Sequence, residues 1–184
     1  MATATEKLLT IEEFAQMPDP GHPTELVRGS IITLTPPQPL HGSICGEIGY
    51  WIKHFLKAND IGRIYTNDTG VVTERDPDTV RGADISYYSY ARVPKDASRA
   101  RYFSVAPDLV FEVTSPSDRT SRVLAKVAEY LNVGVLIVCV VDPRNSTVEL
   151  FRSDEPSQTL RDTDTFAVTE ILPGFSVPVR RFFE

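Results

Sequence analysis

Two hydrophobic periods organise the chain. Ile44, Ile48, Trp51, Ile52, Phe55 and Leu56 recur on one face of a 3.6-residue turn, which predicts an amphipathic helix from about Leu40 to Ala58. Val123, Val127, Tyr130 and Leu131 give a second helical stripe over 119–132, closed by Asn132-Val133-Gly134. A short helix from Ile11 to about Gln16 follows from Thr10-Ile11-Glu12-Glu13, a capping box in which Thr10 and Glu13 each bond the other's backbone N–H.

Elsewhere the pattern is that of strands. Thr24 to Arg28 and Ser30 to Leu34 flank Gly29, which reads as a tight hairpin or a bulged strand. Ile61 to Thr66 and Gly70 to Thr73 read as two strands with a turn at Asn67-Asp68, and Arg81 to Tyr88 as another. Asp108 to Ser115 is almost continuously apolar and is ended by Pro116-Ser117-Asp118. Val135 to Val141 is apolar and β-branched, as expected of a strand buried on both faces. A turn at Asp142 to Asn145 leads into Thr147 to Arg152, with weaker strands near Thr159 and Phe166. The tail carries Phe175, Val177, Val179 and Phe182.

The strand–helix–strand order over 108–115, 119–132 and 135–141 is a crossover unit, so the sheet is parallel there. The reading is one α/β domain (α+β mixed) over 1–184, a central mixed sheet flanked by helices. Its 184 residues suffice for one sizeable core. The Val133–Val141 run is too short to span a bilayer, and Met1 to Leu9 lacks the basic start and apolar core of a signal peptide. We therefore expect a cytoplasmic protein with no membrane partner. Around Cys45 and Cys139 we read no metal-ligand spacing and take both as buried, reduced thiols.

A net charge of −6 argues against a surface that binds nucleic acid everywhere. The most basic stretch, with Arg92, Lys95, Arg99 and Arg101, is a loop or short helix. It reads either as a solvated loop or as a phosphate-contacting segment.

The chemistry sits where carboxylates interrupt core strands. Alternation puts Asp108, Val110, Glu112 and Thr114 on one face of 108–115, and Leu109, Phe111 and Val113 on the other. An ionised Glu112 in such a strand wants a cation, a metal or a mouth to solvent. Asp84 is a similar oddity within 81–88. Two such charges about 5 Å apart repel by roughly 3 kcal/mol at an effective dielectric of about 20. A divalent cation between them removes that cost, and hard carboxylate oxygens suit Mg²⁺. Lys126, in the helix after the Glu112 strand, reads on spacing alone as a solvent-facing lysine.

The ordered motifs Glu25-Leu26-Val27-x-Gly29, Pro37-x-Pro39-x-His41, Asp84-Ile85, Pro107-Asp108-Leu109-Val110-Phe111-Glu112-Val113-Thr114-Ser115-Pro116-Ser117-Asp118, Lys126-x-x-x-Tyr130-x-x-x-Gly134 and Val141-Asp142-Pro143 resemble the Uma2 family over about residues 8 to 180. That family is classed as a restriction-endonuclease-like group within the PD-(D/E)XK nuclease superfamily. The resemblance implies a restriction-endonuclease-like fold and a Mg²⁺-dependent endonuclease acting on DNA, with Mn²⁺ as a substitute. It implies that Asp84, Glu112 and the Val113 carbonyl bind the metal. Thr114 stands where the superfamily pattern has lysine, and Lys126 on the following helix takes that role. Glu25 matches an added N-terminal acidic position, where it binds a second metal or orients Lys126 or a water. Ala83 replaces the usual Pro before the first acid.

Other residues divide less sharply. His41 contacts phosphate or serves as a hydrogen bonder near the helix start. Tyr130 packs in the core or touches the site, Asp108 and Asp142 are turn or cap residues, and His22 and His54 have no role. A homodimer would suit cleavage of both strands of a duplex. The competing reading is a non-catalytic nucleic-acid-binding or protein-interaction module on the same scaffold.

Overall fold

A computed structural model describes residues 7–116 and 118–184. The N-terminal stretch read above as no leader lies largely outside the described residues, as does Ser117 of the motif string. The helices are α1 (Ile11–Ala15), α2 (Pro39–Ala58) and α3 (Thr120–Asn132). The strands are β1 (Thr24–Val27), β2 (Ser30–Thr33), β3 (Gly62–Glu74), β4 (Thr79–Ser89), β5 (Leu109–Val113), β6 (Ile137–Asp142), β7 (Thr147–Phe151), β8 (Gln158–Arg161), β9 (Thr165–Phe166) and β10 (Val177–Pro178), followed by a 3-10 turn at Val179–Phe182. Among the described residues no helix is long and apolar enough to cross a membrane.

The local predictions explain most of these elements. Both halves of the Thr10–Glu13 capping box form, and α1 starts at Ile11. β1 and β2 make the tight hairpin, with Arg28 and Gly29 both at positive φ (51° and 77°), as a two-residue turn matching strand twist requires. α2 is α-helical from its N-terminal proline, where the missing N–H has no helical partner to lose.

Eight strands form one mixed sheet in the order β2-β1-β4-β5-β6-β7-β8, with β3 paired along β4. β5 and β6 are parallel and joined through α3, the predicted crossover. Alternation along β5 sorts its side chains as expected. Leu109, Phe111 and Val113 join Ile44, Ile48 and Ile52 of α2 in the larger core, which Phe166, Phe175 and Phe182 of the tail complete. Val110 packs on the opposite side with Val127 and Tyr130 of α3.

One predicted boundary is wrong. The region read as two strands around a turn at Asn67-Asp68 is a single strand, β3, which pairs with β4 from Gly62 to Glu74. Asn67 and Asp68 do reverse the backbone locally, at φ 64° and 54°, but as a bulge opposite Asp84. A bulge inserts unpaired residues without ending the ladder, so the turn residues there carry a bulge instead of a reversal.

β4 is the strand on which the site depends. One edge is covered by β3 throughout. Along the other edge β1 pairs at Val80 and β5 pairs from Ile85 to Tyr87. Between those contacts, Arg81 to Asp84 have no strand on that edge among the described residues, and β1 and β5 diverge there.

Candidate functional site

Buried backbone groups must find partners, and in the β1–β5 fork side chains supply them. The Gly82 N–H donates to Glu25 Oε1 at 3.0 Å, and the Gly82 carbonyl accepts from Lys126 Nζ at 3.2 Å. On the β5 side, Val113 N–H donates to Asp84 Oδ2 at 2.6 Å. The fork is therefore held open by a glutamate, a lysine and an aspartate that take the place of ladder partners.

The α3 side of the fork is closed and ionic. Lys126 Nζ lies 2.9 Å from Glu112 Oε2 and 3.2 Å from Glu25 Oε1. Tyr130 donates its hydroxyl to Glu112 Oε1 at 2.8 Å. Arg81 binds Glu25 at 2.8 Å and grips Glu129 of α3 with two bonds, at 2.6 and 2.7 Å. Glu25 is 3% exposed, unlike the surface strand carboxylate that its position in an edge hairpin suggests. Lys126 and Tyr130 are one helical turn apart, so both reach Glu112 from the same face of α3.

Burial shapes the charges. Desolvation pushes the Glu112 carboxyl up to about 7, against the pull of Lys126 and with the help of the Asp84 charge. Lys126 is penalised by the same burial, but Glu112 and Glu25 both face it and hold its pKa above the ordinary lysine value. Tyr130 is pushed well up by burial and by Glu112, so it stays a phenol and a donor.

The α2 side is a cleft of about 490 Å³. His41 Nε2 lies 3.2 Å from Asp84 Oδ2, and His41 Nδ1 lies 3.6 Å from Cys45 Sγ. The hydrogen bond to the Asp84 carboxylate raises His41 to about 10, so at neutral pH it is an imidazolium. Burial pushes the Cys45 thiol up. The bulge residue Asp68 lines the same cleft, its carboxyl raised by burial and then by the nearby Asp84 charge.

The basic segment divides. Arg92 is turned inward: it pairs with Asp108 at 2.9 Å and donates to the carbonyls of Ala106, Pro107 and Gly134. Lys95 pairs with Asp60, while Arg99 and Arg101 are exposed. Asp108 also accepts from Ser89 N–H at 2.7 Å, so it ties the loop to the end of β4.

Sequence reasoning missed Arg81, Glu129, Asp68 and Cys45. For Cys45 a signal was present and misread: His41 and Cys45 are four residues apart on a helix, which is ligand spacing, and the structure puts both beside Asp84. Arg81 and Glu129 carry no motif, because their pairing depends on how α3 lies across the fork.

The Uma2 family model, described as "Putative restriction endonuclease", matches residues 11–180. Among solved structures, the chain is similar to a protein from Anabaena variabilis ATCC 29413 described as a "putative nuclease belonging to DUF820". The match has a TM-score of 0.82 and 23% identity, over 95% of this chain and 97% of that one. At that identity the likeness establishes the fold. No curated protein matches the chain.

Proposed function

Because the chain belongs to the Uma2 family of restriction-endonuclease-like proteins, we propose that it is a divalent-metal-dependent endonuclease that hydrolyses phosphodiester bonds of DNA at the β1–β5 fork. The observation that carries this reading is the convergence on Gly82 and Val113 of Glu25, Asp84, Glu112 and Lys126 from four separate elements. A fold that needed only stability has a cheaper solution, since buried ion pairs are often no better than apolar packing.

The donor chemistry fits a hard cation. Asp84 and Glu112 offer carboxylate oxygens, and Glu112 accepts from Lys126 at Oε2 and from Tyr130 at Oε1, while a carboxylate has about four lone-pair sites. Burial raises the carboxyls of Glu112 and Asp68, and the nearby Asp84 charge raises both further. Asp84, Glu112 and the Val113 carbonyl would hold Mg²⁺ or Mn²⁺. Such an ion would polarise a phosphate oxygen and lower the pKa of a bound water.

The chain's own groups do the rest. Lys126 stays protonated, holds Glu112 in place and presents positive charge where the scissile phosphate would sit. Glu25, itself held by Arg81, fixes the Lys126 ammonium from the opposite side, and Tyr130 fixes the Glu112 carboxylate. His41, a cation on the open side, can meet a phosphate oxygen. The exposed Arg99 and Arg101 are the segment's available contacts to the DNA backbone, whereas Arg92 is committed to Asp108 and to carbonyls. A homodimer would bring two such sites to the two strands of a duplex.

The test is cleavage of supercoiled plasmid and of linear duplex with Mg²⁺ or Mn²⁺, by wild type, Asp84→Asn and Lys126→Met, with light scattering for the dimer. Metal-dependent nicking that both variants lose supports the reading. Salt-sensitive DNA binding without cleavage by any of them favours the non-catalytic module.

A further inference from the structure

The α2 side of the site holds a donor set that hydrolysis by a hard cation does not use. His41, Cys45 and Asp84 each place one ligand atom within 4.8 Å of the other two. The three come from rigid pieces. His41 and Cys45 share one face of α2, four residues apart, and Asp84 stands on the central strand with its carboxylate anchored by Val113 N–H.

The chemistry of the set is selective. Mg²⁺ and Ca²⁺ take oxygen ligands. One imidazole nitrogen, one sulfur and one carboxylate oxygen together suit a borderline-soft transition metal. Three protein ligands with a fourth position facing a cavity is the open form of a zinc-type site. The cavity is present, with Asp68 on its wall and the bare flank of α2 at Gly42 and Gly46 beside it, where an added Cβ would touch nothing. Glycine inside a helix costs about 1 kcal/mol relative to alanine, and no packing demands either one.

We propose that His41, Cys45 and Asp84 form a second metal site, which takes a thiophilic divalent transition metal of the Zn²⁺ class and leaves one coordination position open to the cleft. On binding, the imidazolium and the thiol each release a proton to solvent, and the thiolate, one imidazole nitrogen and the carboxylate become the ligands. The site stands apart from the nuclease reading, but Asp84 belongs to both. Occupancy by a soft metal therefore competes with a hard cation for that carboxylate.

The probe is Co²⁺ added to the full chain without Mg²⁺. A near-ultraviolet thiolate-to-cobalt charge-transfer band should grow to saturation at stoichiometric metal. Zn²⁺ should erase it and excess Mg²⁺ should not. Cys45→Ser and His41→Gln should lose the band, while Glu112→Gln, which disables only the α3 side, should keep it. In thermal melts, Zn²⁺ should raise the Tm of wild type and Glu112→Gln but not of Cys45→Ser. A wild-type chain with no charge-transfer band at stoichiometric Co²⁺ overturns the proposal. So does a band that survives Cys45→Ser, which would move the sulfur to Cys139. A wild-type chain that gives the cobalt band but shows no Mg²⁺- or Mn²⁺-dependent cleavage would count against the nuclease reading alone.

Discussion

The two sides of the fork satisfy their polar groups in opposite ways. On the α3 side, the charges and hydroxyls described meet protein partners: Lys126 has three, Glu25 three, and Glu112 a donor at each oxygen. On the α2 side, an imidazolium, a thiol and two carboxylates face a cleft of about 490 Å³. The difference separates a scaffold from a reactive surface. The closed side fixes Glu112 and Lys126 in one arrangement, and the open side leaves Asp84 reachable. A carboxylate shared across that boundary is rigid on one flank and available on the other.

The largest effect is expected from Lys126→Met. It removes the ammonium that Glu25 and Glu112 share, which takes from Glu112 its paired cation while Glu25 keeps Arg81. Breaking a buried pair from one side costs about 4 kcal/mol. Urea unfolding of the metal-free protein should show that loss with an unchanged m-value. A loss under about 1 kcal/mol, the worth of an exposed pair, would mean that the α3 side is solvated and the contrast between the sides is false.

The next effect separates the sides by pH. A carboxylic acid raised from 4.5 to about 7 binds its proton more tightly when folded. Glu112 therefore lowers metal-free stability as pH rises through that interval, by at most about 3.5 kcal/mol at about 1.4 kcal/mol per unit. His41 is raised from 6.5 to about 10, so its contribution is full below about 6.5 and is lost as pH climbs to about 10. Asp68, also raised, adds to the acid window from the α2 side. Glu112→Gln should shrink the acid window and leave the alkaline one, and His41→Gln should do the reverse. If either variant flattens both windows, the sides titrate as one unit.

What the sequence revealed follows the same division. The α3 side is built from regular elements. A carboxylate at an alternating position of β5 and two residues one turn apart on α3 are visible in spacing, and the motif string named Lys126 where spacing alone pointed it at solvent. The crossover and the Leu40–Ala58 helix were legible because hydrophobic period determines them. The α2 side depends on an irregularity. Asn67-Asp68 has the composition of a chain reversal, and only pairing with β4 on both flanks makes it a bulge that carries Asp68 to the cleft. Arg92 stood out as one of four basic residues, yet the carbonyls that bind it come from segments distant in sequence. Charge composition cannot tell a structural arginine from a DNA contact.

Tyr130→Phe tests how far the closure of Glu112 matters. The phenol is fully buried and donates to Glu112 Oε1. Its removal costs about 1.5 kcal/mol, the low end for a hydrogen bond to a charged group. It should also push the Glu112 carboxyl higher and extend the acid window upward in pH. Stability lost with no movement of that window would make Tyr130 a packing residue that happens to lie near the acid.

The smallest effect comes from Gly82→Ala, and it bears most directly on whether the two sides are separable. A Cβ at Gly82 would stand 3.0 Å from Asp68 Cβ and 3.2 Å from the Asp68 carbonyl oxygen. The bulge must give way by a few tenths of an ångström, at about 1 kcal/mol, the low end for overpacking. The strain falls on the α2 side, so Co²⁺ affinity should drop. Gly82 also serves the α3 side through its N–H to Glu25 and its carbonyl to Lys126. If β4 is rigid there, those bonds hold and the Glu112 window stays where it is in wild type. If that window moves with the cobalt affinity, the backbone of Gly82 transmits displacement across the fork. Metal binding on the open side would then reset the closed one, and the division between scaffold and reactive surface would be a coupling through one peptide unit.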